Sequence, residues 1–221
     1  MSRAETAARE RRRLERKELR HTRQRALIVQ AARAVLESVG LASLTIDDVA
    51  RAAGVGKPSV FYYFASKQEL VGAVVVELAG EECQALIAAL SGCTSAAEAL
   101  TTVVRTLVAF YRGRIGTFRA HYLAPQLYGI TRAQLLGLAS HTHAFFAVCD
   151  EKLRADQQRG RLPADKRPGD LTALAWTLGI GILFRASLLE PAGVRTDHSV
   201  AQLEREACEL IARSLGRRRD L

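Results

Sequence analysis

Apolar residues recur at intervals of three and four positions along most of this chain, and that interval is the period of an amphipathic helix. Alternating apolar and polar residues, which would indicate strands, form no run of useful length. The pattern therefore predicts an all-α protein. The predicted helices cover residues 23–40, two short segments between 45 and 64, and then residues 67–90, 95–113, 115–127, 131–159, 168–189 and 198–215.

The first predicted helix has one apolar face, which we expect to pack inside a small N-terminal domain. Gly40 is placed to end this helix, because glycine adopts the left-handed conformation without a Cβ clash. The residues predicted to be buried on this face are Leu27, Ile28, Ala31, Val35 and Val39.

Helix start and stop signals are crowded between residues 45 and 70. A Ser or Thr followed three positions later by an acidic residue forms a capping box, glycine ends a helix, and proline is favoured in a first turn. Here they predict two short helices joined by a tight turn, and then the start of a longer helix. The signals are the boxes Thr45–Asp48 and Ser66–Glu69, the stop at Gly54, and Gly56 as N-cap ahead of Pro58.

The second short helix carries the sequence KPSVFYYF at residues 57–64. Val60 and Phe64 are four positions apart and are predicted to face the core. The three adjacent aromatic residues cannot all be buried on so short a helix, so a surface that contacts nucleic acid is favoured over an extension of the core. The side chains predicted to face outward are Lys57, Ser59, Phe61, Tyr62 and Tyr63.

Positive charge is concentrated in the first third of the chain. Residues 1–67 hold 14 Lys and Arg against 7 Asp and Glu, so +7 of the formal net charge of +9 lies there. This asymmetry indicates a polyanionic partner, with nucleic acid as the first choice and an anionic membrane surface as the second.

The first 22 residues contain only Leu14 and Leu19 as large apolar side chains, so we expect a mobile or frayed helical arm. This arm is either a solvated tail or a segment that follows DNA phosphates or enters a minor groove. The arginines predicted to contact DNA, in the arm and just after it, are Arg11, Arg12, Arg13, Arg20 and Arg23.

The segment TIDDVARAAGVGKPSVFYYFASKQEL, residues 45–70, resembles the DNA-binding signature of the tetracycline-repressor (TetR) family. The resemblance covers about residues 23–75. It implies a helix-turn-helix DNA-binding domain at 23–67 and a helical ligand-binding and dimerisation domain at 68–221, while the long basic arm at 1–22 is more than the family minimum. The implied phosphate contacts are made by Thr45, Tyr62 and Lys67, and Gly56, Lys57, Ser59 and Phe61 lie nearest the base edges.

Two positions depart from the family pattern. The family often has Tyr where this chain has Phe61 and His where it has Tyr63, so one hydroxyl is lost and another is gained. The resemblance therefore does not predict which DNA sequence these side chains recognise.

The resemblance also implies a homodimer formed through the helices near 168–189 and 198–215. Apolar residues step by three and four along both segments, from Leu171 to Ile182 and from Val200 to Ser214. Taken alone, such stripes indicate either an internal core or a dimer interface. Two-fold symmetry favours the interface, because it would place two recognition helices about 34–36 Å apart on a palindromic site.

The helices before this interface are implied to enclose a small-molecule pocket. Each candidate for its lining is either a pocket residue or an ordinary core residue, and a mostly apolar pocket suits a hydrophobic effector. The histidines invite a metal site, but His141 and His143 are two positions apart on a helix and point in different directions, so we expect no metal and no cofactor. The ligand candidates are Phe110, Tyr111, His121, Tyr122, Phe145, Phe146, Trp176 and Phe184.

The sequence thus predicts a ligand-responsive transcriptional repressor that a small molecule releases from double-stranded DNA. The alternative is an effector-independent protein that organises DNA. An enzyme is not expected, because no catalytic motif of the kinds with a known mechanism is present. The longest uncharged apolar run is too short for a membrane span and the four cysteines lack metal-binding spacing, so we expect a cytoplasmic protein with reduced thiols.

Overall fold

The computed structural model describes the backbone of residues 3–189 and 198–216, and side chains from 10 to 189 and from 198 to 215. The first two residues of the predicted arm lie outside the described part. The chain forms two compact units, residues 1–74 and 75–221, which are treated separately below. The described elements are α1 (Arg3–Ser43), α2 (Ile46–Ala52), α3 (Lys57–Tyr63), α4 (Lys67–Leu90), α5 (Ala96–Tyr111), α6 (Ile115–Tyr128), α7 (Arg132–Gln158), α8 (Pro168–Leu189) and α9 (Val200–Gly216).

The described part of the chain is helical throughout and contains no strand, which confirms the predicted all-α class. The arm is helical from Arg3 onward and continuous with the first predicted helix. Gly40 interrupts this helix with a φ of 80°, as its sequence position predicts.

In the first unit, the buried face of α1 lies slightly to one side of the predicted stripe. Ile28, Ala31 and Val35 are buried as predicted, and Val29, Ala32 and Leu36 are buried with them. The prediction was wrong for Leu27 and Val39, which are 52% and 48% exposed. Leu27 lies off the centre of the face by helical geometry, and Val39 directly precedes the break at Gly40.

Local capping fixes the two short helices. The Thr45 hydroxyl accepts a hydrogen bond from the backbone N–H of Asp48 at 3.2 Å, which starts α2. Gly54 has a φ of 66° in the turn that follows, and Gly56 is the N-cap of α3. The predicted start and stop signals are confirmed, and the turn between α2 and α3 is only four residues long, from 53 to 56.

The second unit is built around α5 and α8. Helix α8 packs against α5, α6, α7 and α9. Gly179 allows the closest approach, because a Cβ there would lie 2.9 Å from Leu107 Cδ1 on α5. By length and composition alone, α8 and the part of α1 from Glu10 to Ser43 could each cross a membrane. Packing against α5, α6, α7 and α9 buries one face of α8, which includes Ala175, Leu183 and Ala186.

All four cysteines are buried and unpaired. Burial raises the pKa of the Cys83 thiol to about 12 and that of Cys149 to about 11. The thiols are therefore reduced core residues, in agreement with their scattered spacing.

A buried carboxylate joins the end of α7 to the start of α5. Asp156 Oδ2 accepts a hydrogen bond of 2.7 Å from the backbone N–H of Ala96, in the first turn of α5. Its other oxygen accepts hydrogen bonds from the guanidinium of Arg161. Burial alone would raise the pKa of Asp156, but the Ala96 N–H and Arg161 hold it below its usual value. Negative charge at a helix N-terminus is also favourable.

Replacement of Asp156 by Asn should destabilise the second unit by about 2 kcal/mol, because it removes the charge that these donors face. The measurement is urea unfolding followed by circular dichroism. Since the folded-state pKa is lowered, the stabilisation is present above the unfolded pKa of ~3.9 and is lost as pH falls through the folded value. The difference between wild type and variant should therefore shrink below about pH 4.

The matched control is Asp165→Asn, which removes an exposed carboxylate 3.9 Å from Lys166. We expect it to change stability by less than ~0.5 kcal/mol. If Asp156→Asn lowered the free energy of unfolding by no more than Asp165→Asn does, the role of Asp156 as a link between α7 and α5 would be contradicted.

Candidate functional site

Helix α3 of the first unit presents aromatic side chains to solvent. Val60 and Phe64 are fully buried, as predicted, and they hold the helix against its neighbours. On the other side, Phe61 is 45% exposed and Tyr62 is 70% exposed. Exposed aromatic side chains of this size on one short helix form a surface suited to a partner rather than to the core.

Tyr63 is less exposed than the sequence predicted, because a ring from α1 lies against it. The His21 ring centroid is 4.7 Å from that of Tyr63 and 6.0 Å from that of Tyr62, and the two tyrosine rings are 5.0 Å apart. The three rings fix the orientation of the C-terminal end of α3. The sequence analysis missed His21, an exposed residue that lies seven positions before Ile28 and so on the same side of α1.

The predicted charged contacts surround this helix. Lys57 Nζ is 2.9 Å from Asp47 Oδ2, and both side chains are largely exposed, so this ion pair is weak and can be exchanged for another anion. Thr45 is exposed at the N-terminus of α2. Lys67 is half-buried in the first turn of α4, while Gly56 and Ser59 lie at the start of α3.

The predicted arm arginines lie on the N-terminal part of α1. Arg11, Arg12, Arg13, Arg20 and Arg23 are all exposed. Arg25, two positions further on, lies with its guanidinium 4.8 Å from the centroid of the buried Phe64 ring. The helix therefore combines a packed segment with an exposed basic segment.

A cavity of ≈ 180 Å³ lies inside the second unit. Helices α4, α6, α7 and α8 all contribute to its walls. Most of the lining is apolar, and Glu82, His121, Tyr122, Thr142 and Trp176 provide polar atoms. The remaining lining residues are Val75, Ala79, Cys83, Pro125 and Leu138.

Glu82 is the centre of a hydrogen-bond network at this cavity and is only 2% exposed. Tyr111 donates to Glu82 Oε2 at 2.6 Å, and the Tyr122 hydroxyl is 2.9 Å from both carboxylate oxygens. The indole N–H of Trp176 donates to Oε1 at 3.3 Å. Three neutral donors from three different helices therefore converge on one carboxylate.

The protonation of this network follows from its distances. Burial alone would raise the pKa of Glu82, but its contacts with His121, Tyr111 and Tyr122 hold that pKa below its usual value. The carboxylate is thus ionised and accepts the single proton of the Tyr111 hydroxyl. His121 Nδ1 is 2.6 Å from the same hydroxyl oxygen, which places the imidazole within hydrogen-bond distance of Tyr111.

The structure gathers part of the predicted ligand set around this cavity. His121, Tyr122 and Trp176 line it, and Tyr111 supports it through Glu82. The other four do not line it: the Phe145 and Phe146 rings pack against Trp176, Phe110 packs against Tyr111, and Phe184 is 42% exposed on α8.

The sequence analysis missed Glu82 itself. A signal was present, because Glu82 interrupts the apolar face of α4, four positions after Leu78 and four before Leu86. An acidic residue in the middle of a buried stripe indicates a polar network. No group of three metal-ligating side chains comes together among the described residues, including His141 and His143.

Helix α8 leaves a second apolar surface uncovered within its unit. Leu174, Leu178, Phe184 and Leu188 are exposed and lie on one face at helical spacing. Gly181 lies on the same face, and a Cβ added there would have no atom within 4 Å. We call these five residues the α8 stripe. The predicted apolar seam from Leu171 to Ile182 therefore contributes to two different surfaces. Leu174 and Leu178 face outward, while Ile182 is buried inside the unit.

Two short helices joined by a four-residue turn, with an exposed second helix and a basic flanking helix, define a helix-turn-helix DNA-binding protein. Residues 28–74 match the family model described as bacterial regulatory proteins of the tetR family. The helix-turn-helix region of this chain is therefore similar to that of bacterial regulatory proteins of the tetR family.

A curated protein is similar to this chain over part of its length. The HTH-type transcriptional regulator BetI of Rhizobium meliloti (strain 1021) is 28% identical over 102 residues, which cover 46% of this chain. The chain spans about half the length of this relative, 45%.

Solved structures share the fold over nearly the whole chain. The regulator FadR from Bacillus subtilis, in complex with stearoyl-CoA, has a TM-score of 0.65 at 15% identity, covering 84% of this chain and 96% of its own. A regulatory protein of the tetR family from Rhodococcus RHA1 has a TM-score of 0.64 at 19% identity, covering 87% and 97%. These likenesses show that the helical fold of the chain, including its second unit, is shared with these proteins.

The two tyrosines on Glu82 should stay protonated as long as the protein is folded. Burial and the nearby carboxylate raise the pKa of Tyr111 and of Tyr122 far above the ordinary phenol range. In an alkaline titration followed by ultraviolet difference absorbance, Tyr111→Phe and Tyr122→Phe should leave the native amplitude unchanged. In denaturant, each should lower it by about one fifth, because the chain has five tyrosines. A smaller native amplitude in either variant would show that its phenol is accessible.

Proposed function

We propose that this protein is a ligand-responsive, sequence-specific transcriptional repressor that binds a palindromic operator as a homodimer and is released by a small effector. The exposed face of α3, on which Phe61 is open to solvent and Tyr62 lies beside His21, is the observation that carries the DNA-binding part. A protein with this role works in the cytoplasm, where it meets both DNA and effector.

On DNA, we propose that α3 enters the major groove. Phe61 and Ser59 contact base edges, with Gly56 allowing a close backbone approach, and Lys57 exchanges Asp47 for a nucleic-acid group. Thr45, Tyr62 and Lys67 contact phosphates on either side, and Tyr63 orients Tyr62. The five arm arginines add sequence-independent attraction along the backbone or in a minor groove.

Lys67→Ala should weaken binding to all DNA sequences by a similar factor, because a phosphate contact carries no sequence information. The slope of log K against log salt should fall by about 0.9 for each lost contact, and therefore by about 1.8 for a dimer that loses one contact in each half-site. The measurement is fluorescence anisotropy on an operator selected from random DNA, repeated on unrelated DNA. Arg213→Ala on α9 is the control for the loss of one positive charge. It should leave both the DNA affinity and the slope of log K against log salt unchanged.

The base contacts predict a different pattern. Ser59→Ala and Phe61→Ala should alter which bases are preferred in the selected sites, with changes of about 1–3 kcal/mol at single positions. A uniform loss of affinity for these variants, like that of Lys67→Ala, would reverse the assignment of base readers.

The α8 stripe supports the proposed dimer interface. Five small or apolar residues at helical spacing give a face that a second copy can cover, and Gly181 has space for a helix to approach closely. Helix α9 adds Leu210, which is exposed, while Ala207 packs inside its own unit. The proposed interface therefore uses the exposed residues of the two predicted segments, such as Leu178 on α8 and Leu210 on α9. The buried residues Ile182 and Ala207 are not part of it.

Leu178→Lys should shift the protein towards monomers and raise the dimer dissociation constant at least tenfold, because a charge would be buried in the interface. Analytical ultracentrifugation over a range of concentrations measures this. Leu136→Lys is the matched control, since Leu136 is an exposed leucine on α7 outside the stripe. Dissociation caused by the control and not by Leu178→Lys would place the interface elsewhere.

We propose that effector binding reaches the DNA-binding surface through α4. This single helix carries Lys67 in its first turn and Glu82 at the cavity. A ligand that binds better to one position of α4 shifts the protein towards that position, and by reciprocity operator DNA weakens ligand binding. Equal ligand affinity for free and operator-bound protein would remove this coupling and leave the effector-independent alternative.

The ligand of the Bacillus FadR structure does not transfer to this chain. Stearoyl-CoA is a long molecule with several negative charges, whereas this cavity measures ≈ 180 Å³ and holds a carboxylate at its wall. Cavities that bind drug-sized ligands are about 300–1,000 Å³. The effector is therefore small, with enough apolar surface to meet the valine, alanine and leucine walls.

A further inference from the structure

The charge at the cavity restricts the chemistry of its ligand. Glu82 is buried and ionised, and the groups that hydrogen-bond to it from α5, α6 and α8 are neutral phenol and indole donors. His121 is the nearby group that can become positive, and its Nδ1 is 3.4 Å from Glu82 Oε2. No lysine or arginine lines the cavity in the described part of the chain. The site therefore has a net charge of minus one with neutral His121 and zero with protonated His121.

A negative or neutral site in a low-dielectric interior opposes an anionic ligand and attracts a cation. Four protein groups already contact the carboxylate, namely Tyr111, Tyr122, Trp176 and His121. A cation without N–H groups suits such a site, because it meets the charge of the carboxylate and needs no further acceptor position. The rings beside it strengthen this preference, since Tyr122 and Trp176 both line the cavity and aromatic faces attract cations.

The cavity volume limits the ligand to a small molecule. An engineered cavity of about 150 Å³ accepts benzene, so ≈ 180 Å³ accepts a ligand of only slightly larger size. The apolar part of the lining, which includes Val75, Ala79 and Leu138, favours alkyl groups over a strongly hydrated ion.

We infer that the ligand of this cavity is a small organic cation with alkyl substituents, such as a methylated ammonium, whose charge faces Glu82 and whose alkyl groups lie against Tyr122 and Trp176. This inference rests on the proposed function, in which the cavity binds the effector. It refines the expectation of a hydrophobic effector by assigning that ligand a positive charge.

The protein contains its own reporter for this test. Trp176 is the single tryptophan of the chain, it lines the cavity, and its indole N–H donates to Glu82. Intrinsic fluorescence therefore reports on the cavity. The probes are tetramethylammonium, the neutral neopentyl alcohol and the anionic pivalate, which have similar branched shapes, each titrated at constant ionic strength maintained with sodium chloride.

For the wild-type protein we expect saturable fluorescence changes with tetramethylammonium and at least tenfold weaker binding of neopentyl alcohol and pivalate. Equal binding of the neutral probe, stronger binding of pivalate, or no saturation with tetramethylammonium would overturn the inference. This comparison needs no variant, so it remains decisive even where a substitution at Glu82 prevents folding.

Glu82→Gln keeps the shape of the side chain and removes its charge. In a folded variant, verified by circular dichroism, we expect tetramethylammonium to bind at least tenfold more weakly and its preference over neopentyl alcohol to disappear. Glu209→Gln removes an exposed carboxylate on α9 and should leave binding unchanged. A cation preference that survives Glu82→Gln would overturn the assignment of Glu82.

A second titration separates this inference from the proposed release from DNA. The same three probes are added to the operator complex, and anisotropy measures release. Cation-selective fluorescence without release supports the assigned ligand class and contradicts effector control. Release by neopentyl alcohol or pivalate and not by tetramethylammonium overturns the inference and supports effector control.

Discussion

A carboxylate that is removed from water has to be surrounded by hydrogen-bond donors, and this constraint organises the second unit. Without them, the burial of an ion costs several kcal/mol. Glu82 on α4 meets donors from α5, α6 and α8. Three of the four helices that line the cavity are therefore joined through one side chain, so the shape of the cavity and the charge that a ligand meets have the same origin.

The first unit depends on short-range interactions instead. Thr45 and Gly54 fix where α2 begins and ends, and Gly56 starts α3 four residues later. With both helices this short, Val60 and Phe64 are enough to hold α3 in place. The other side of α3 is then available for aromatic residues that a larger core would have covered.

This difference explains how much the sequence predicted. Caps and glycine stops act within a few residues, so the helix bounds and the helix-turn-helix followed from the sequence. The partners of Glu82 come from up to 94 positions away, and the position of His21 beside Tyr63 depends on how α1 packs. Periodicity shows that a face is apolar and not which element covers it, so Phe184 could not be assigned to the cavity or to the α8 stripe from sequence alone.

The burial of the thiols has a consequence for how this protein reacts with oxidants. Cys83 lines the cavity, but its pKa of about 12 leaves almost no thiolate at neutral pH. Oxidants attack the thiolate form, and all four cysteines are buried without a disulfide partner. Burial of all four thiols and the raised pKa of Cys83 therefore disfavour their oxidation.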